Sequence, residues 1–394
     1  MSTKTISLQR RYDLDWLRVL AILVVFVFHS CRFFDQMGWH VKSATVYAPV
    51  QAWIIFLNGW LMPLVFVISG ASLFYAVGKG SVFGFIRDKM LRIFVPLVVG
   101  VFTHASLAVY LERTTNGRFS GSFFEFYPHY FDGFYGFGGN FAWMGLHLWY
   151  LLVLFIYSLA FLPLFYLLKG PARNLLNKLG DLLAVPGVIL VLILPVTWFS
   201  AILDPRSGLG QRNFGGWPVL VYICYLLYGF VIFSHAPLQT RLQQMRWFYL
   251  TAALITTAVF LWRFGYVVPQ HGTIAELYFG LLFITSSWCW ILTFIGFTCQ
   301  YMTNNTQVLK YANEAVLPFY IMHQTVLLVI GYFVLQWPIP DPVKWLIIAL
   351  SSFALVMGIY EFLVRQFNVL RVLFGMKLLT RQPVVHMPER APTQ

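Results

Sequence analysis

Ten consecutive apolar residues, Val19 to Phe28, run between an arginine, Arg18, and a histidine, His29. With its flanks the stretch Asp13 to Arg32 is long enough to cross a bilayer. In lipid every backbone donor and acceptor must be satisfied within the segment, so this segment is helical. Arg18 and His29 are eleven positions apart. That is close to three turns, so both side chains leave one face, about 16 Å apart along the axis. Ionisable groups at such depth usually face a protein interior or a water-filled cavity. An imidazole titrates near neutral pH and can take a proton from a hydroxyl. A guanidinium can hold a phosphate. The pair therefore predicts a helix face that grips an anionic group at one depth and does proton chemistry at another. The plainer reading is that Arg18 snorkels to a headgroup and His29 bonds a neighbouring helix.

The rest of the chain repeats the membrane pattern. Of 394 residues, 59% are hydrophobic and only 10% charged, against about 25% charged in soluble domains. Ten spans are expected, at about 13–34, 50–77, 90–110, 146–168, 184–203, 214–234, 246–266, 273–300, 312–336 and 343–366. The fold class is all-α: a polytopic bundle of about ten transmembrane helices, with residues 1–376 as one membrane domain. Residues 377–394, basic and carrying Pro383, Pro388 and Pro392, are expected to be a disordered tail. No internal repeat and no cleavable signal peptide is evident. Eighteen lysines and arginines fall on the side of the termini and eight on the other, which puts both termini in the cytoplasm. Spread in this way, the net charge of +13 reads as membrane topology and not as nucleic-acid binding. Cys31, Cys224, Cys289 and Cys299 lie in or beside apolar segments and read as small buried hydrophobes, with no metal-site spacing.

Orientation then gives depth. Arg18 sits near the cytoplasmic face, where Arg87, Lys89 and Arg92 could join it in a basic mouth. His147 opens the fourth span and Glu276 the eighth, both at the depth of His29. The three form a candidate acid/base cluster, since a carboxylate beside His29 would fix its tautomer. His323 falls near mid-membrane on the same face as Tyr320, after Pro318, which breaks the helix ladder. Glu361 is expected to pair with Arg365 four residues on. Between Leu111 and Gly145 a glycine- and aromatic-rich segment, with Trp143, suits either sugar stacking or an interfacial belt.

Together these stretches resemble the membrane acyltransferase 3 family over nearly the whole chain. The resemblance is carried by Arg18 and His29, by Phe66-Val-Ile-Ser69-Gly70, and by Lys89 with Arg92 before Pro96. It continues in His147-Leu-Trp149-Tyr150, in Tyr320 with His323, and in Glu361. Lys89 stands where the family often has arginine. The run from Leu146 and the Leu373-Phe-Gly375 ending resemble the glucans biosynthesis protein C type, whose members are taken to succinylate periplasmic glucans. What the resemblance implies is an O-acyltransferase of the bacterial inner membrane. Its co-substrate would be a cytoplasmic acyl-CoA (succinyl-CoA or acetyl-CoA), held by Arg18, Lys89 and Arg92. A glycan hydroxyl entering from outside would lose its proton to His29. Ser69, Trp149 and Tyr320 are candidate oxyanion donors, and Arg32 a candidate partner for a succinyl carboxylate. With no esterase-like module in the sequence, the membrane part is expected to complete the transfer. A transporter or flippase using the same histidine and arginine for proton coupling is the alternative, and a sensor or structural protein a third.

Overall fold

The computed structural model describes residues 10–202, 213–264 and 273–379. Helix α1 spans Tyr12–Cys31, α2 Ala48–Ala76 and α3 Val82–Thr115. A short α4, Phe123–His129, precedes α5, Leu146–Ala160, and α6, Leu162–Lys169. Helices α7, Arg173–Leu183, and α8, Val188–Ser200, follow. A two-residue ladder, β1 Asn213–Phe214 with β2 Trp217–Pro218, leads into α9, Val221–Ser234, and α10, Ala236–Gln244. The chain closes with α11 Arg246–Phe264, α12 Ile274–Tyr301, α13 Gln307–Val334, α14 Asp341–Val364 and α15 Asn368–Leu373. Among the described residues, six helices are long and apolar enough to cross a membrane, or nine if each of three bent pairs is one span. The shorter apolar helix Arg246–Trp262 accounts for the tenth expected segment. The chain is an all-α, multi-pass membrane protein. Most of the expected tail, residues 380–394, lies outside the described residues.

Proline sets the bends. The pairs α5–α6, α7–α8 and α9–α10 meet at 54°, 113° and 99°. Pro163, Pro186 and Pro237 stand at these junctions. A proline has no N–H for the preceding turn and is best accommodated where a helix begins. Pro63 and Pro318 nonetheless lie inside the continuous helices α2 and α13, so Pro318 does not end its helix as expected. At α7–α8 the next residue, Gly187, has φ +81°, which turns the chain sharply.

Helix α1 packs against α2, α12, α13 and α14, so Arg18 and His29 are placed among helices. Helices α2 and α9 cross so closely that a Cβ on Gly70 would stand 1.8 Å from the Leu226 carbonyl oxygen, and one on Gly229 1.9 Å from that of Val67. The small residues of the Phe66-to-Gly70 stretch thus let two backbones touch. The ending Leu373-Phe-Gly375 folds back in the same manner. Gly375, at φ +70°, sits where a Cβ would come within 2.6 Å of the Arg92 carbonyl oxygen and 2.9 Å of the Pro96 ring. Pro96 cannot take that carbonyl as its helical partner. Two motifs far apart in sequence therefore close on one another at the wide π-helical turn Met90–Phe94.

Candidate functional site

Three histidines from three elements meet near one end of α1. His29 comes from its last turn, His323 from the middle of α13, and His147 from the turn that opens α5. Nδ1 of His323 lies 2.7 Å from the Tyr320 carbonyl oxygen. A carbonyl only accepts, so the proton of His323 is on Nδ1 and its Nε2 is an acceptor. That Nε2 lies 3.0 Å from Nδ1 of His29. The donor in this pair must then be His29 Nδ1, which leaves His29 Nε2 with a free lone pair. Nε2 of His147 lies 3.0 Å from the Ile321 carbonyl oxygen and so donates to it. Its Nδ1 is buried with no hydrogen-bond partner. The cluster thus presents two unprotonated imidazole nitrogens, each fixed by a backbone carbonyl at the far end of its chain. The backbone enforces the position of His147: Gly145 has φ +77° and Leu146 has φ +53°, the one non-glycine residue with positive φ among the described residues. Such strain collects at functional sites.

A cavity of about 770 Å³ opens near the other end of α1 and runs inward. Arg18, Lys89, Arg92, Lys310, Arg371 and Lys377 line it, with Asp88 and Glu314. Arg18 donates to Asp15 (3.2 Å), Asn313 (3.1 Å) and Ser72 (2.9 Å), which stretches its guanidinium along the cavity wall. Arg92 pairs with Asp88 at 2.7 Å and Arg371 with Glu314 at 2.9 Å. Lys89 makes no ion pair among the described residues; its ammonium stands 5.1 Å from the centre of the Phe85 ring.

The inner end of the cavity is Ser69, Tyr150 and Tyr320. Ser69 donates to the Val65 carbonyl (2.8 Å), so the 2.6 Å contact with Tyr150 runs from the tyrosine to Ser69. Tyr320 donates to the His147 carbonyl at 2.5 Å. Tyr320 is therefore the wall between cavity and histidines: its hydroxyl is bound to one histidine's backbone and its carbonyl to another histidine's ring. As placed, neither Ser69 nor Tyr320 has a hydroxyl proton to spare for an oxyanion.

The far side of His29 is capped by the loop between α1 and α2. Trp39 stacks on the His29 ring (centroids 6.3 Å, planes 17° apart) and stands edge-on to Phe33. Arg32 pairs with Asp35 and donates to the Gly38 carbonyl, and Lys42 bonds Asp35 (2.7 Å) and the Arg32 carbonyl (2.7 Å). Burial, more than any partner, pulls the Lys42 ammonium below its ordinary value, and Asp35 opposes this. His40 reaches Glu112 at the end of α3, which also pairs with Arg113 and accepts from Tyr135 (2.7 Å). Arg113 holds the glycine-rich segment through Asn140 (2.8 Å) and the Gly139 carbonyl (2.9 Å).

The expected residues sort accordingly. His29, His147, His323 and Tyr320 come together, and Arg18, Lys89 and Arg92 share one cavity. Glu276 does not join the histidines: no hydrogen bond or ion pair among the described residues links them. It opens α12, its backbone N–H capped by Thr273, and His323 takes the place foreseen for it beside His29. Arg32 is committed to Asp35 and is 8% exposed, so it has no free arm for a substrate carboxylate. Trp149 packs on Phe66 and Tyr222 in the core, and its neighbour Tyr150 faces the cavity. Glu361 makes the i,i+4 pair with Arg365 at 2.8 Å. Ser72, Asn313, Asp35, His40, Glu112 and Trp39 were not foreseen; polar residues inside apolar runs were the available signal for the first two. No group able to hold a metal ion occurs among the described residues.

Residues 11–361 match a family model described as an acyltransferase domain, that of acyltransferase family 3. No curated protein and no solved structure matches.

Proposed function

Because this chain belongs to acyltransferase family 3, we propose that it moves an acyl group from a cytoplasmic acyl-CoA to a hydroxyl of a periplasmic or envelope glycan. The observation that carries this reading is the placement of Tyr320. On one side lies a cation-lined cavity, and on the other His29, its Nδ1 proton engaged by His323 and its Nε2 free. The bias of lysine and arginine toward the termini supports a cytoplasmic cavity mouth in a bacterial inner membrane. Arg18, Lys89 and Arg92 would receive the donor's phosphates, and the thioester arm would pass Tyr320. The acceptor hydroxyl gives its proton to His29 Nε2 as its oxygen bonds the thioester carbon. The carbon–sulfur bond breaks, and the thiolate recovers that proton from His29 as free coenzyme A. His323 accepts from the imidazolium throughout, which keeps the ring oriented. Trp39 offers a flat face beside His29 where a pyranose could stack. The resemblance to the glucans biosynthesis protein C type favours succinyl as the group and periplasmic glucan as the acceptor.

Mass spectrometry of periplasmic and envelope glycans, from cells with the wild-type protein and with His29→Ala, tests this. A succinyl or acetyl mass increment lost in the variant is expected. Unmodified glycan in both, or glycan retained on the cytoplasmic side in the variant, would favour the transporter reading.

A further inference from the structure

A second cavity, of about 580 Å³, lies across Arg18 from the first, and Arg10, Arg18, Ser72, Ala76 and Asp88 border both. We propose that it seats the nucleotide end of the donor, with Lys79 pairing the 3′-phosphate on the ribose and the ring of Tyr75, Phe85 or Tyr166 facing the adenine. The inference rests on the acyl-CoA reading above and assigns a subsite within it.

Size comes first. Pockets of about 300–1,000 Å³ suit drug-sized ligands. An acyl-CoA is larger than that and carries two separate anionic groups, a pyrophosphate and a ribose phosphate. The larger cavity matches one charged group and the thioester arm. A ligand held there at Arg18 has only the shared wall to cross to enter the second space.

Charge comes next. Three of the four cations lining the second cavity are already engaged. Arg10 pairs with Asp15 (2.9 Å), Arg11 with Asp13 (2.6 Å), and Arg18 with Asp15. Lys79 differs: among the described residues its ammonium has no hydrogen bond and no ion pair. It stands in an exposed turn between Gly78, at φ +80°, and Gly80, where a Cβ would meet nothing within 4 Å. Nearby, the Lys169 ammonium is bound to the Phe74 and Val77 carbonyls (2.8 and 2.6 Å), and the Arg173 guanidinium lies 5.7 Å from the centre of the Phe74 ring. Among the described residues no carboxylate is paired to any of these three. The surplus calls for an anion brought in from outside, and the ring surfaces in the same wall call for a flat heterocycle attached to it. A phosphate monoester on a nucleoside meets both demands. A lipid phosphate would satisfy the first alone.

The test compares the full-length protein, in nanodiscs, with an acyl-CoA and with the same acyl-3′-dephospho-CoA as donors. In the wild type, KM should be about tenfold higher for the dephosphorylated donor, equivalent to about 1.4 kcal/mol. In Lys79→Ala the two KM values should converge, because that for acyl-CoA rises, and Lys79→Arg should restore the gap. Undiminished discrimination in Lys79→Ala overturns the subsite and leaves the transfer reaction standing. An equal loss with both donors, relieved by anionic lipid, assigns Lys79 to the membrane surface and overturns it too. Turnover with neither donor in the wild type removes the acyl-CoA reading and the subsite together.

Discussion

His29 Nδ1 donates to His323 Nε2 across 3.0 Å, joining residues 294 positions apart. The direction of that bond decides which nitrogen of His29 is basic. His323→Ala frees His29 to adopt either tautomer and should lower kcat by about 100-fold or more, within the usual range for general-base catalysis. His323→Gln places an amide oxygen near the former Nε2 and can still accept from His29. It should keep at least a tenth of the wild-type rate with an altered pH–rate profile. Equal loss in both variants would show that acceptance from His29 is not what His323 supplies.

Tyr320 ties α13 to α5 through the His147 carbonyl. Tyr320→Phe keeps the ring and removes the donor, leaving a buried carbonyl short of a partner at a cost of about 1–3 kcal/mol. A lower unfolding midpoint is expected in a thermal scan of the detergent-solubilised protein. Transfer should fall as well, since the wall beside the histidines loosens. An unchanged midpoint would contradict the tie.

Arg18 uses both arms of its guanidinium, on Asn313 and on Ser72. A lysine is a point charge and cannot make that fork. Arg18→Lys should raise the donor KM by about tenfold, equivalent to about 1.4 kcal/mol, with a smaller effect on kcat. Steady-state kinetics over a donor series would reveal the split, and a fall in kcat alone would place Arg18 elsewhere in the reaction.

The close crossing of α2 and α9 gives a prediction that stands apart from chemistry. Gly70→Ala would drive a methyl into the Leu226 carbonyl. Overpacking of this kind costs about 1–3 kcal/mol. Reduced yield of monodisperse protein by size-exclusion chromatography is expected, whereas Gly80→Ala, with open space around it, should behave as wild type on the same column.

Glu112 is the acid between His40 and Arg113. Glu112→Gln leaves Arg113 buried without its counter-charge, and breaking a buried pair costs about 3–5 kcal/mol. Limited proteolysis should cut the loop between α1 and α2 faster in this variant. Equal cleavage rates would show that the His40–Glu112 contact does not hold the loop.

The helices were legible in the sequence and their arrangement around the bundle was not. The apolar runs located the helices, and counting along them put His29, His147 and Glu276 at one level. Nothing in that count says where around the bundle each helix stands, so Glu276 was matched to a histidine it does not meet. His323 was recognisable as an ionisable residue in a span, but its role depends on the angle at which α13 packs on α1. Arg32 looked available because Asp35, three residues on, falls beyond the helix, where periodicity no longer says which side chains meet. Trp149 and Tyr150 are adjacent and both pack on Phe66, but only Tyr150 lines the cavity, so a motif containing both could not say which faces it. Pro318, read as a helix breaker, lies inside the continuous helix α13, whereas the breaks fall at Pro163, Pro186 and Pro237, which the apolar runs did not single out.

Leu146, at φ +53°, is held in a conformation that favours glycine. Replacing it with glycine would relieve the backbone but remove a side chain packed against both apolar clusters, and that lost burial offsets the relief. The same relief would let the His147 imidazole wander from the Ile321 carbonyl. A slower catalyst with no gain in heat resistance is the outcome to anticipate, because the leucine that strains the backbone also packs the core, so turnover and packing both hold it here.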